Sequence, residues 1–113
     1  MNAVGASLRS ARELDSEAVR RAEFFADRRE SVMAESGDFL MPLDEGVIDA
    51  MHLRAELGDL VSGAHAGRSA PAAITVFKSL GLAIEDVAAL RHIHTRALAT
   101  GRGISIELGG VRH

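Results

Sequence analysis

Histidine is the side chain best suited to proton transfer and metal binding near neutral pH, and this chain has five, at positions 52, 65, 92, 94 and 113. Only His92 and His94 lie close together. Two positions on a helix differ by about 160° in direction, so the pair cannot chelate one ion from a single helix. His94 also falls on the apolar side of its segment, where it reads as a core histidine, and no metal site is expected. There is no cysteine, which excludes a disulfide framework, a thiolate zinc site, a cysteine nucleophile and an iron–sulfur cluster. Gly58, Gly63, Gly67, Gly101 and Gly103 do not assemble a G-x-G-x-x-G loop, and Gly67-Arg68-Ser69 lacks the lysine and the earlier glycine of a phosphate loop. The carboxylate pairs Glu35/Asp38 and Glu85/Asp86 read as caps or solvated helix faces rather than acid/base dyads.

The elements that must position any site come from a chain of 113 residues, 47% hydrophobic. Folding at that length hides roughly two thirds of the surface, enough for one small core. Thirteen Lys plus Arg against 16 Asp plus Glu give a net charge of -3 with the signs interspersed. That balance lacks the basic surplus of a nucleic-acid module. No stretch approaches the ~18 apolar residues of a membrane span and the N-terminus has no secretory pattern, so a soluble, cytoplasmic protein is expected.

Asn2 to Ala6 reads as a short buried strand turning at Gly5. A helix is expected from Ser16 to Ala22 with Asp15 or Ser16 as its cap, then a buried strand from Glu23 to Asp27. Asp27 is expected to cap a helix from Arg28 to Ser36 that stops at Gly37. Phe39 to Pro42 reads as a connection, and a further helix is expected from about Val47 through Leu60 to Gly63. Residues 63–71, GAHAGRSAP, form the clearest linker. Leu80, Ala83, Ile84, Val87, Leu90, Ile93, Ala97 and Leu98 line one arc of a long amphipathic helix ending at Gly101. Ile104 to Leu108 alternates as a half-buried strand. This alternation of helix and strand implies an α/β layer.

The segment Ile74–Leu90, ITVFKSLGLAIEDVAAL, closely resembles the C-terminal signature of the ornithine cyclodeaminase and mu-crystallin family. Further matches stand in order: Asn2-Ala3-Val4-Gly5-Ala6-Ser7, Arg12-Glu13-Leu14-Asp15, Asp27-Arg28-Arg29-Glu30, Glu35-Ser36-Gly37-Asp38, Ala55-Glu56-Leu57-Gly58-Asp59 and Gly67-Arg68. The resemblance implies a partial Rossmann-type NAD(P)-binding domain, with residues 1–73 as its C-terminal half. Residues 74–113 would be a signature segment, long helix and short strand rejoining a substrate and dimerisation domain. The chain then looks like the last third of a longer protein, with the glycine loop, the ribose-binding acid and the substrate arginine upstream of Met1.

Carried over by position, Val4 and Ser79 resemble residues that contact the NAD or NADP cofactor. Leu80 would face nicotinamide and substrate, and Glu35 matches a ligand-contacting glutamate of mu-crystallin. Read without the resemblance, Val4 is a strand residue, Ser79 the N-cap of the long helix and Glu35 a solvated helix end. The chain departs from the deaminating branch, which has an aspartate where Ser7 stands and Pro-Gly-Lys at Arg9-Ser10-Ala11. An unactivated serine hydroxyl cannot serve as that base, so no catalytic residue is assigned. The resemblance implies ancestral NAD(P)-dependent hydride transfer on an amino-acid-derived imine by a ketimine reductase or cyclodeaminase, inactive in this portion alone. The alternative is a non-catalytic remnant that binds a small ligand or a protein. Self-association or pairing with a full-length relative is expected to cover the apolar helix face.

Overall fold

The computed structural model describes residues 1–106 and Gly109. In chain order the elements are β1 (Asn2–Ala3), α1 (Ser16–Arg21), β2 (Glu23–Ala26), α2 (Arg29–Glu35), α3 (Gly37–Asp44), a 3-10 turn (Ala50–His52), β3 (Leu53–Glu56), α4 (Leu57–Ser62), β4 (Thr75–Lys78) and α5 (Ala83–Thr100). The four strands form one sheet in the order β1-β4-β2-β3, and every neighbouring pair is parallel. This is a mixed α/β fold.

The sheet is held by its last strand. In β4, Val76 pairs with Phe24, and Lys78 pairs with Ala26 on one side and Ala3 on the other. Because side chains alternate across a strand, Phe24, Ala26, Val76 and Lys78 share one face. That face meets Val19 of α1, Val32 of α2 and Phe39 of α3, all fully buried. The Phe24 and Phe39 rings lie 5.2 Å apart at 60°, a tilted pairing favoured by the ring quadrupoles. Ala3 and Ala26 leave room between them for the lysine.

Where capping signals are local, the sequence reading holds. Asp15 caps α1, accepting the Ala18 N–H at 2.7 Å. Gly101 ends α5 in the left-handed conformation at φ 63°. Elsewhere tertiary contacts prevail. The expected helix is α2, which ends just before Gly37, but Gly37 at once opens α3, and Phe39 to Pro42 are helical rather than connecting. A Cβ at Gly37 would stand 2.1 Å from the Ala11 carbonyl oxygen, so the glycine admits the 9–11 loop against the helix start.

The expected helix from Val47 to Gly63 is instead a 3-10 turn, a strand and a short helix. Leu53 and Ala55 are buried while Arg54 is exposed, the alternation of a strand pairing with β2. Glu56 and Asp59 then form a reciprocal capping box that starts α4. β1 is shorter than expected, and beyond it Val4 is 64% exposed.

Asp27 does not cap α2, whose N-cap is Arg28 without a side-chain bond. Nor is Ser79 the N-cap of α5, which is Leu82. One compact unit runs from Met1 to Gly81, and a second begins at Leu82. The first takes in residues 74–81, grouped with the long helix in the sequence, because β4 is an interior strand. In the second unit Ile84, Val87, Leu90, Ile93 and Leu98 of α5 are exposed, and so is His94, which is therefore not a core histidine. Ile104, Ser105 and Ile106 form no strand, and the rest of the expected strand, Glu107 and Leu108, lies outside the described residues.

Candidate functional site

In open parallel α/β sheets, ligands bind outside the carboxyl ends of the strands. Here β1 leads into Val4, β2 into Asp27 and β4 into Ser79 and Leu80, and these strands are neighbours in the sheet. Segments far apart in sequence therefore emerge side by side. Val4 presents an exposed apolar side chain, while Leu80 is half-buried against the core.

Asp27 is the organising group and was not singled out as a site residue from sequence. It is 5% exposed. Its Oδ2 accepts the Ser79 hydroxyl at 2.9 Å, the Leu80 N–H at 2.7 Å and the Gly81 N–H at 2.9 Å. Its Oδ1 accepts the Arg28 N–H at 2.7 Å. A carboxylate only accepts, so the Ser79 proton is committed to Asp27. Ser79 Oγ also accepts the Gly81 N–H at 3.2 Å. What remains for a ligand is acceptor capacity at Oγ, suited to an amide or imine N–H.

A second buried group lies below. Lys78 is fully buried, its Nζ 2.9 Å from Oδ2 of the equally buried Asp38 and 2.5 Å from the Ala6 carbonyl oxygen. Ser7, next along, is exposed, and among the described residues no hydrogen bond joins it to a base. Glu35 ends α2, exposed, and no described hydrogen bond or ion pair links it to Val4, Ser79 or Leu80. The geometry thus brings Val4, Ser79 and Leu80 to one end of the sheet and gives Glu35 no bond to them.

Lys78 carries a signal in the sequence itself. It is the chain's single lysine, set in the apolar run Ile74-Thr75-Val76-Phe77. Asp27 and Asp38 had no such signal, since their partners lie in other elements. No group of three or more potential metal-ligating side chains is found among the described residues.

A four-stranded parallel α/β sheet of this kind belongs to the class of nucleotide-domain folds. The match is closer than that class. The model of the ornithine cyclodeaminase/mu-crystallin family covers residues 1–101, and the chain belongs to this family. Delta(1)-pyrroline-2-carboxylate reductase of Bacillus cereus is 40% identical over 108 residues, which is 95% of this chain and 33% of that protein. Ketimine reductase mu-crystallin of Mus musculus is 42% identical over 94 residues, 83% of this chain and 27% of that one.

The structure of Thermococcus litoralis Delta(1)-pyrroline-2-carboxylate reductase with NADH and L-proline superposes with a TM-score of 0.85 at 47% identity, covering 93% of this chain and 32% of that chain. An archaeal alanine dehydrogenase dimer with bound NAD gives a TM-score of 0.79 at 32% identity, over 96% of this chain and 33% of that one. The chain spans about a third of the length of the relatives it matches.

Proposed function

We propose that this chain forms the nicotinamide-facing part of an NAD(P)-dependent reductase of amino-acid-derived cyclic imines. The observation that carries the reading is Ser79, held by buried Asp27 as a pure acceptor at the carboxyl end of β4, beside exposed Val4 at the end of β1. Apolar Val4 and Leu80 suit the face of a nicotinamide ring, and Ser79 Oγ suits its carboxamide N–H. These residues fit that half of the cofactor. The chain has no glycine loop for the pyrophosphate. When bound, the cofactor supplies a hydride.

Reduction is favoured over deamination by Ser7. A serine hydroxyl with no base bonded to it does not exchange protons with an amine near neutral pH, whereas a cyclic imine can arrive already protonated. The relatives named as pyrroline-carboxylate and ketimine reductases support the same substrate class, and the relative structures with bound NADH and NAD support the cofactor. We extend to this chain a cytoplasmic location, a dimeric full-length form and Glu35 as a ligand contact. The residues contribute orientation and a dry apolar wall, and no turnover is expected from this portion alone.

The alternative is a non-catalytic remnant that binds a small ligand or a protein. Titration of the purified chain with NADH and NADPH, followed by nicotinamide fluorescence, separates the two. Saturable binding of either reduced cofactor supports the reductase reading. Absence of saturation through the millimolar range contradicts it.

A further inference from the structure

Lys78 has no part in the cofactor contacts described above, yet it and Asp38 are both fully enclosed in the core. Its ammonium donates to one main-chain oxygen and faces two carboxylates. Nζ lies 2.5 Å from the Ala6 carbonyl oxygen, 2.9 Å from Asp38 Oδ2 and 3.6 Å from Glu13 Oε2. Both acids pass the connection on. Asp38 Oδ1 accepts the Glu13 N–H at 2.7 Å and the Leu14 N–H at 2.9 Å. Glu13 Oε2 accepts the Gly5 N–H at 2.8 Å and the Ala6 N–H at 3.3 Å.

Every one of these bonds that reaches a main-chain group ends in the irregular segment between β1 and α1. That segment has no ladder of its own, and it carries Val4 and Ser7. A buried ion pair is a poor source of stability compared with apolar packing, and its best-attested use is to specify one arrangement. A methionine in place of Lys78 would fill the space between Ala3 and Ala26 equally well. What it could not do is hold the Ala6 carbonyl and the two carboxylates.

We propose that Lys78 is a positioning residue which, through Asp38 and Glu13, fixes the Gly5–Ser7 segment in a single orientation at the carboxyl end of β1. That this segment faces an imine substrate rests on the reductase reading. The fixing of the segment does not.

The test uses the whole chain and amide hydrogen exchange, with the sheet amides of Phe24 to Ala26 as an internal reference. Lys78→Met/Asp38→Leu removes both buried charges together while keeping apolar bulk. Glu13→Ala removes only an exposed acceptor, so the fold is retained even if the double variant fails to form. Glu13→Gln keeps an acceptor oxygen and serves as the conservative rescue. In the double variant and in Glu13→Ala, exchange at Gly5 and Ala6 is expected to rise about tenfold, the loss of one hydrogen bond. The reference amides should change less than about twofold, and Glu13→Gln should stay near the parent.

Unchanged protection at Gly5 and Ala6 in Glu13→Ala would overturn the proposal, as would equal acceleration of the sheet amides. NADH fluorescence titration of the same variants is read separately. A parent chain that does not bind NADH sinks the reductase reading, while the exchange data still decide the role of Lys78.

Discussion

Asp27 and Ser79, 52 residues apart in sequence, meet through a hydroxyl–carboxylate hydrogen bond of 2.9 Å at the ends of neighbouring strands. The same carboxylate oxygen takes the N–H groups of Leu80 and Gly81. A charged acceptor with several donors strengthens each bond, and the turn after β4 is thereby fixed before any ligand arrives. Preorganisation of this kind lowers the ordering cost of binding.

Asp27→Asn places an amide N–H₂ among groups that already donate. The substitution should cost about 2–3 kcal/mol, read as a lower denaturation midpoint, with faster amide exchange at Leu80 and Gly81. Ser79→Ala leaves Asp27 its backbone donors and should cost only about 1 kcal/mol. Its larger effect should be on NADH affinity. Equal losses of stability in the two variants would show that Asp27 does not act through this turn.

Lys78→Met by itself leaves Asp38 buried and unpaired, and breaking one side of such a pair should cost about 3–5 kcal/mol. Lys78→Met/Asp38→Leu should recover most of that loss in a urea titration. A double variant no more stable than the single one would mean that the charges are not coupled.

Gly37→Ala tests the close approach of the 9–11 loop to α3. With 2.1 Å between the added Cβ and the Ala11 oxygen, the loop must move, and overpacking of this kind should cost about 1–3 kcal/mol or more. Calorimetry showing an unchanged melting temperature would contradict the packing described. Gly46, where nothing lies within 4 Å of an added Cβ but φ is 70°, should tolerate alanine poorly for a different reason, the left-handed backbone.

The acid limb of stability has a contribution from Glu23. Hydrogen bonds from the Ser69 hydroxyl and then its backbone N–H, the latter at 3.1 Å, hold this carboxyl below its ordinary value of 4.5. Because the folded value is lowered, the stabilisation is present above the unfolded pKa and is lost as the pH falls through the folded one. Glu23→Gln should therefore be less stable than the parent at pH 7 and show a flatter acid limb, the two proteins converging as the pH falls through the folded value. A variant with the same acid limb as the parent would contradict this role.

What could be read from sequence follows from how local each signal is. Asp15 before a helical run and Gly101 after one act within a few residues, so α1 and α5 were legible. α3 was not, because Gly37 and Pro42 resemble breakers unless the 9–11 loop pressing on the helix start is known. β3 was hidden inside a plausible helical pattern from Val47 to Gly63 and emerges only from pairing with β2. The site divides in the same way. Val4, Ser79 and Leu80 came with the family resemblance. The groups that orient them bond across 54 residues for Asp27 to Gly81 and 72 for Lys78 to Ala6, separations at which spacing along the chain carries no information.

The central claim is that the carboxyl ends of β1 and β4 receive a nicotinamide. Its most direct test is the amide chemical-shift map of the isotope-labelled chain during titration with NADH. Saturable shifts are expected at Val4, Gly5 and Ser79 to Gly81, with little change at Phe25, Leu57 and Leu60, which line a separate cavity of about 410 Å³. Shifts centred on that cavity, or none at any concentration, would contradict it.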